Sequence, residues 1–442
     1  MNTKLTYSQS PWSLDDLFKG FDDPAIEATY QKLEAQVAEF EKYRSALTPE
    51  ISEQKFMEVI KKLEEMEKLG YKIYGFAQLS FAADTQSQKA LIALARIQQF
   101  AAELSNQTLF FSLWWKGLDD ANAERLLAAS GDYRYWLEQM RNFKPYTLSE
   151  PEEKVTNIKN VTGWNALNTL YDSITNRYVF HLEVDGETKE LTRGELMTYV
   201  HRPDPDLRAR AYQELYRVYG NEAPILGQIY QNIVRDWRNE NLGLRGFSTP
   251  ISVRNLYNDI PDAVVDTLIE VTRQNLDVFQ RYFRHKAKKL GMEKLRRYDI
   301  YAPVSSSSKE YSFEQAANLT FEAYARFDQE FARKAQRVFD DQHIDSEVRK
   351  GKMGGAFCST ILPELTPWVL LNYQGHADDV STMAHELGHA VHSMMAEHHP
   401  LYAQHACLPL AETASTFGEM ILTDLLLERE TDPQEIEGIL FR

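Results

Sequence analysis

The stretch Met383–Ser393, MAHELGHAVHS, sets two histidines four residues apart with a glutamate directly after the first. On an α-helix, positions i and i+4 share a face with Cβ atoms about 6 Å apart, so His385 and His389 can turn ring nitrogens toward one cation. Glu386 stands about 100° round the helix from His385, close enough to reach a water on that cation without ligating it. Leu387, Ala390, Val391 and Met394 supply an apolar face for packing. Two imidazoles alone leave open an ordinary amphipathic helix with His and Glu on its wet side.

A catalytic zinc takes three protein ligands and a water. A third histidine six residues past His389, with glycine between, is excluded because those positions hold Met395 and His392. Glu397 lies on the same helix and cannot fold back to the ion. Glu412, in LPLAETASTFGE, comes 23 residues after His389. That span allows a helix end, a loop through His398-His399-Pro400 and a returning helix, so Glu412 is the expected third ligand. Glu419 falls on the same face and is placed to orient a ligand rather than bind metal. His392 shares the face of His385 and His389. It reads as a hydrogen-bonded neighbour, since a fourth protein ligand would displace the water that catalysis needs. His398, His399 and His405 read as loop residues, and Cys358 and Cys407 as inert core thiols. Zinc in a His, His, Glu site would bring water toward neutrality and polarise an amide carbonyl, with Glu386 as general base. No oxyanion donor beside the metal is identifiable from the sequence.

The elements that must position these groups are mainly helical. From about Asp23 to Phe143, apolar residues recur at three- and four-residue spacing. Ser149-Glu150-Pro151-Glu152 reads as a capped helix start. Tyr178–Thr192 alternates around Asp185-Gly186 and predicts a β-hairpin, after which Thr192 and Glu195 cap another helix. Helices resume to about Leu290, punctuated by Pro203, Pro205, Pro250 and Pro261, and Ser305–Ser308 reads as a polar loop. Gly354–Ile361 and Trp368–Gly375 predict two strands beside a key helix that starts near Asp378 or Asp379. Gly354-Gly355 would either admit a substrate backbone or relieve a tight turn. The expected fold is mainly α with a small sheet, divided into a helical region 1–145, a helical and hairpin segment 146–200, and a catalytic region 201–442.

Of 442 residues, 43% are apolar and 26% charged, the balance of a globular protein with a large core. A net charge of −16 argues against nucleic acid and anionic membranes, both of which call for a cationic face. Two cysteines make no disulfide framework, and the N-terminal stretch lacks the apolar core of a signal peptide, so a cytoplasmic setting is expected. LFFSLWW, Leu109–Trp115, is too short to span a bilayer and reads as core.

Taken together, WSLDDLF at Trp12, YTLSEPEEKV at Tyr146, HRPDPDLRARAYQELY at His201, APILGQIYQNIVRDW at Ala223, RHKAKKLGMEKLRRYDIYAPV at Arg284, HELGHAVHS and LPLAETASTFGE resemble the oligoendopeptidase F branch of the thimet-oligopeptidase-like (M3) zinc peptidases. The resemblance implies one zinc on His385, His389 and Glu412, catalysis by Glu386, and a multi-helical, two-lobed zincin-type body around a deep channel that admits short peptides. It also implies a continuation with transition-state tyrosines and histidines, whereas this sequence stops in mid-helix by its pattern at LLLERETDPQEIEGILFR. The C-terminus is thus expected to be incomplete relative to that family. The leading reading is an oligopeptide endopeptidase. The alternatives are a catalytically impaired peptide-binding or scaffold form, and a helical protein without metal. Oligomeric state is not legible.

Overall fold

The computed structural model describes residues 7–304 and 309–441, so the expected Ser305–Ser308 loop lies outside the described residues. The N-terminal helices are α1 (Pro24–Phe40), α2 (Glu53–Ala83), α3 (Gln88–Gly117), α4 (Asp120–Ala128) and α5 (Arg134–Asn142). Then come α6 (Glu150–Asn160), α7 (Ala166–Thr175), the hairpin β1 (Phe180–Val184) and β2 (Glu187–Leu191), α8 (Arg193–Thr198), α9 (Pro205–Asn221) and α10 (Ala223–Trp237). The middle of the chain holds α11 (Pro250–Tyr257), α12 (Asp262–Gln274), α13 (Leu276–Lys289), α14 (Phe313–Phe327) and α15 (Gln329–Asp340). Three short strands follow, β3 (Ile344–Asp345), β4 (Phe357–Ser359) and β5 (Trp368–Leu370), and then α16 (Ala377–Met395), α17 (Leu408–Arg429) and α18 (Pro433–Leu440). Helix makes up 69%, so the chain is mainly α with small sheets, as its periodicity predicts.

Local signals act where they are written. Ser149 with Glu152 and Thr192 with Glu195 both form reciprocal capping boxes. Asp185 and Gly186 adopt φ 54° and 83°, the left-handed pair that a tight two-residue hairpin turn needs. Pro205 and Pro250 occupy first helical positions, where their missing N–H costs nothing. Phe110, Phe111 and Trp115 of LFFSLWW are buried with Phe40, Phe56 and Leu137, which makes this stretch the core of the α1–α5 assembly. Two π-helical segments, Val161–Asn165 and Arg238–Leu244, continue α6 and α10 without any signal in the sequence.

Beside α16 sits a three-stranded sheet in the order β3-β5-β4. β4 pairs antiparallel with β5 in the register Phe357↔Leu370, Cys358↔Val369 and Ser359↔Trp368. β3 pairs parallel to β5 and was not legible, because a two-residue strand carries no period and exists only through its long-range partner. The two predicted strands form but are shorter than their apolar runs. Beyond Leu370 the backbone is claimed by other partners: Tyr373 N–H donates to Ser346 O, and Gln374 N–H donates to the Asp379 carboxylate. That same carboxylate accepts from His376 N–H, which starts α16 at Ala377.

α16 is anchored by its apolar stripe. Val380, Met383, Ala384, Leu387, Val391 and Met394 recur at three and four residues and are all buried against α14, α15, α17 and the sheet. Burying one such leucine contributes roughly 1.5–3 kcal/mol, so this stripe outweighs any surface preference of the helix. The face at His385 and His389 is thereby turned toward α17.

Candidate metal centre

α16 and α17 approach closely enough for glycine to be required at both contacts. A Cβ on Gly388 would lie 2.8 Å from Ala414 O and 2.9 Å from Ser415 Cα. One on Gly418 would meet the Tyr324 hydroxyl at 2.5 Å and Ala384 O at 2.8 Å. That hydroxyl, fully buried, donates to Ala384 O at 2.5 Å, just before His385. The two helices therefore pack backbone to backbone where their polar side chains must meet.

There, Glu412 Oε2 stands 3.4 Å from His385 Nε2 and 3.6 Å from His389 Nε2. One donor atom from each of these three residues lies within 4.8 Å of the others. Glu419 Oε1 accepts a 2.6 Å hydrogen bond from His385 Nδ1, which leaves the Nε2 lone pair free on the side of Glu412. Glu419 is itself held by Ser381 Oγ at 3.0 Å. Ser415 Oγ donates to Glu412 Oε2 at 2.8 Å and fixes its rotamer. Ser381 and Ser415 were missed by sequence reading. Their only signal was position, one turn before His385 and three residues after Glu412.

Glu386 is buried, only 6% exposed. Burial pushes its carboxyl up to about 7; the His385 charge opposes this, and Glu412 and Glu419 add to it. Burial, followed by repulsion from His385, lowers the pKa of His389, so its imidazole is neutral at pH 7. Two imidazole nitrogens and a carboxylate, with a second carboxylate orienting one ring, are a donor set that fits one divalent cation. Three glutamates around two imidazoles also leave local negative charge that such an ion would balance.

His392 lies outside this donor cluster, though near enough to His389 to act on its charge. Glu397 turns away to Lys334 and Arg337. Cys358 and Cys407 are free, and burial together with the Glu386 charge pushes the Cys358 thiol up, which keeps it protonated. Among the described residues, no helix is long and apolar enough to cross a membrane.

The model of Peptidase family M3 matches residues 198–440, more than half of the chain and including every residue of this cluster. The chain belongs to peptidase family M3. The Oligopeptidase F model of the N-terminal part of M3 chains matches residues 114–180. This M3 chain is 27% identical to the Group B oligopeptidase PepB of Streptococcus agalactiae over 88% of its length and 65% of that protein. It is 30% identical to the chromosomal oligoendopeptidase F of Lactococcus lactis subsp. cremoris over 61% of its length and 45% of that protein. The chain thus spans less than two thirds of the length of either relative. The fold is shared with the crystal structure of oligoendopeptidase-F from Enterococcus faecium, at a TM-score of 0.64 and 22% identity, covering 94% of this chain and 70% of that one.

Proposed function

We propose that this M3 chain is a zinc-dependent endopeptidase of short oligopeptides, working in the cytoplasm. The observation that carries the reading is the convergence of His385 Nε2, His389 Nε2 and Glu412 Oε2 next to a buried Glu386. A zinc ion held by these three residues would supply a Lewis acid that activates water and polarises the scissile carbonyl. Glu386 accepts the proton of the attacking water and returns it to the leaving amine. Its buried carboxyl sits near neutrality, where it can both take and give that proton. Glu419 keeps His385 in the tautomer with Nε2 unprotonated, and Ser415 holds the Glu412 oxygen between the two rings. Membership of M3 and similarity to proteins named oligopeptidase and oligoendopeptidase support peptides as the substrate class.

The test uses the purified chain, a quenched fluorescent oligopeptide and metal analysis. Glu386→Gln should keep stoichiometric zinc and lose at least about 10²-fold in turnover, the low end of what a general base contributes. Glu412→Ala should lose zinc. Unimpaired hydrolysis by Glu386→Gln, or wild-type protein that takes up no zinc, defeats the proposal.

A further inference from the structure

Glu412 lies in the first turns of α17, and apart from the His389 hydrogen bond to the Ala411 backbone that end of the helix has little to hold it. Cys407 provides no side-chain cap, and Leu408 and Leu410 are exposed, 57% and 61%. The first buried residue of α17 is Ser415, beyond Glu412. Further support upstream comes from the loop of residues 396–407 that joins α16 to α17.

That loop is gripped by the N-terminal helices. Leu401, 3% exposed, is buried in one apolar cluster with residues of α2 and α3 such as Phe76 and Leu94, and its N–H donates to Glu64 Oε1 at 2.6 Å. The other oxygen of Glu64 accepts a 2.5 Å hydrogen bond from the Tyr133 hydroxyl. The next residue, Tyr402, stacks on Trp136 with ring centroids 4.0 Å apart and planes 3° from parallel. Glu64 is a carboxylate only 8% exposed, 337 residues from its loop partner. Burying such a group is costly unless its oxygens are bonded, and both are bonded here to groups that locate the loop.

We propose that Glu64 is a positioning residue for the metal centre: through the Leu401 amide, with Trp136 beneath Tyr402, it fixes the loop and hence the approach of Glu412 to His385 and His389. This rests on the zinc reading above. None of Glu64, Tyr133 and Trp136 is in the ligand cluster, so their effect on metal passes through the loop. A purely structural role in the N-terminal core predicts that stability changes while metal affinity does not.

The experiment is zinc titration against a chromophoric chelator, with Tm measured on the same samples. Glu64→Ala should weaken zinc at least 10-fold. Glu64→Gln retains an acceptor for one of the two donors and should recover most of that loss, to within about threefold of wild type. Phe40→Leu, which opens the same N-terminal core at a fully buried side chain on α1, a helix that carries no residue of the loop clamp, should lower Tm and leave zinc affinity unchanged. Wild-type affinity in both Glu64 variants overturns the proposal, as does equal weakening in Phe40→Leu. If Glu64→Ala does not fold, Trp136→Ala, which removes the ring stacked on Tyr402, decides instead: zinc should weaken at least 10-fold, and wild-type affinity there overturns the proposal. Wild-type protein that binds no zinc removes the underlying reading instead, an outcome distinct from a Glu64 effect that is absent while wild type binds.

Discussion

Replacing Gly388 by alanine tests the geometry of the proposed metal centre without touching a proposed ligand. The new Cβ would fall 2.8 Å from Ala414 O and 2.9 Å from Ser415 Cα. Both are backbone atoms, so no rotamer change relieves the clash and the helices must part. Carbon contacts settle near 3.5 Å, which requires a local displacement of about 0.6 Å. Metal–ligand distances tolerate only about 0.2 Å, so a shift three times larger cannot be absorbed at Glu412. The expected result is zinc affinity reduced by roughly 10–100-fold, the range seen when the support of a ligand is lost. Stability should change less. Overpacking costs about 1–3 kcal/mol, and the better helix propensity of alanine returns up to about 1 kcal/mol. Gly227→Ala, on α10 with nothing within 4 Å of the added carbon, should show the propensity gain and wild-type zinc binding. The assay is chelator competition with thermal denaturation in parallel. Zinc affinity within twofold of wild type for Gly388→Ala would show that the spacing of α16 and α17 does not set the site.

Two further perturbations probe the fold around the centre. Asp299, fully buried, takes Arg208 at 2.8 Å and Arg296 at 2.7 Å; burial raises its carboxyl, but the two guanidiniums outweigh it and hold the pKa below the usual range. Asp299→Asn strands the buried Arg208 charge and should cost about 3–5 kcal/mol at pH 7, read by urea denaturation. Because the folded pKa is depressed, the wild-type advantage is present above the ordinary carboxylate range and fades as pH falls through it; a difference constant down to pH 3 would contradict this. Glu67 shows the opposite sign, since burial and the Glu64 charge push it up to about 7 against the neighbouring Tyr402 hydroxyl. Its ionised form is therefore penalised in the folded state, fully above about pH 7 and not at all below the unfolded value near 4.3. Glu67→Gln should raise Tm at pH 8 and leave it unchanged at pH 4, and an equal gain at both would refute the assignment.

What the sequence determines by itself is whatever depends on neighbours a few residues apart. The four-residue step from His385 to His389, the apolar stripe behind them, the Asp185-Gly186 turn and the two capping boxes are relations within one turn of chain, and the structure contains each of them. The mainly helical class follows from the same periodicity summed over many elements. Tertiary structure decides everything that depends on distance between elements. Spacing admits Glu412 beside the histidines, but it is the packing of α17 on α16, closest at Gly388 and Gly418, that brings its oxygen to 3.4 and 3.6 Å from them. Nothing near Glu386 in sequence announces its burial, or that its carboxyl is pushed toward neutrality; that comes from tertiary packing, which sets it near Cys358 of β4 and near Glu412 and Glu419 of α17. The same holds for β3, for the bond between Glu419 and His385, and for the grip of Glu64 on Leu401 across 337 residues. A side chain's reach is a few ångströms and local geometry extends only about a turn, so such partners are chosen by how whole helices stack.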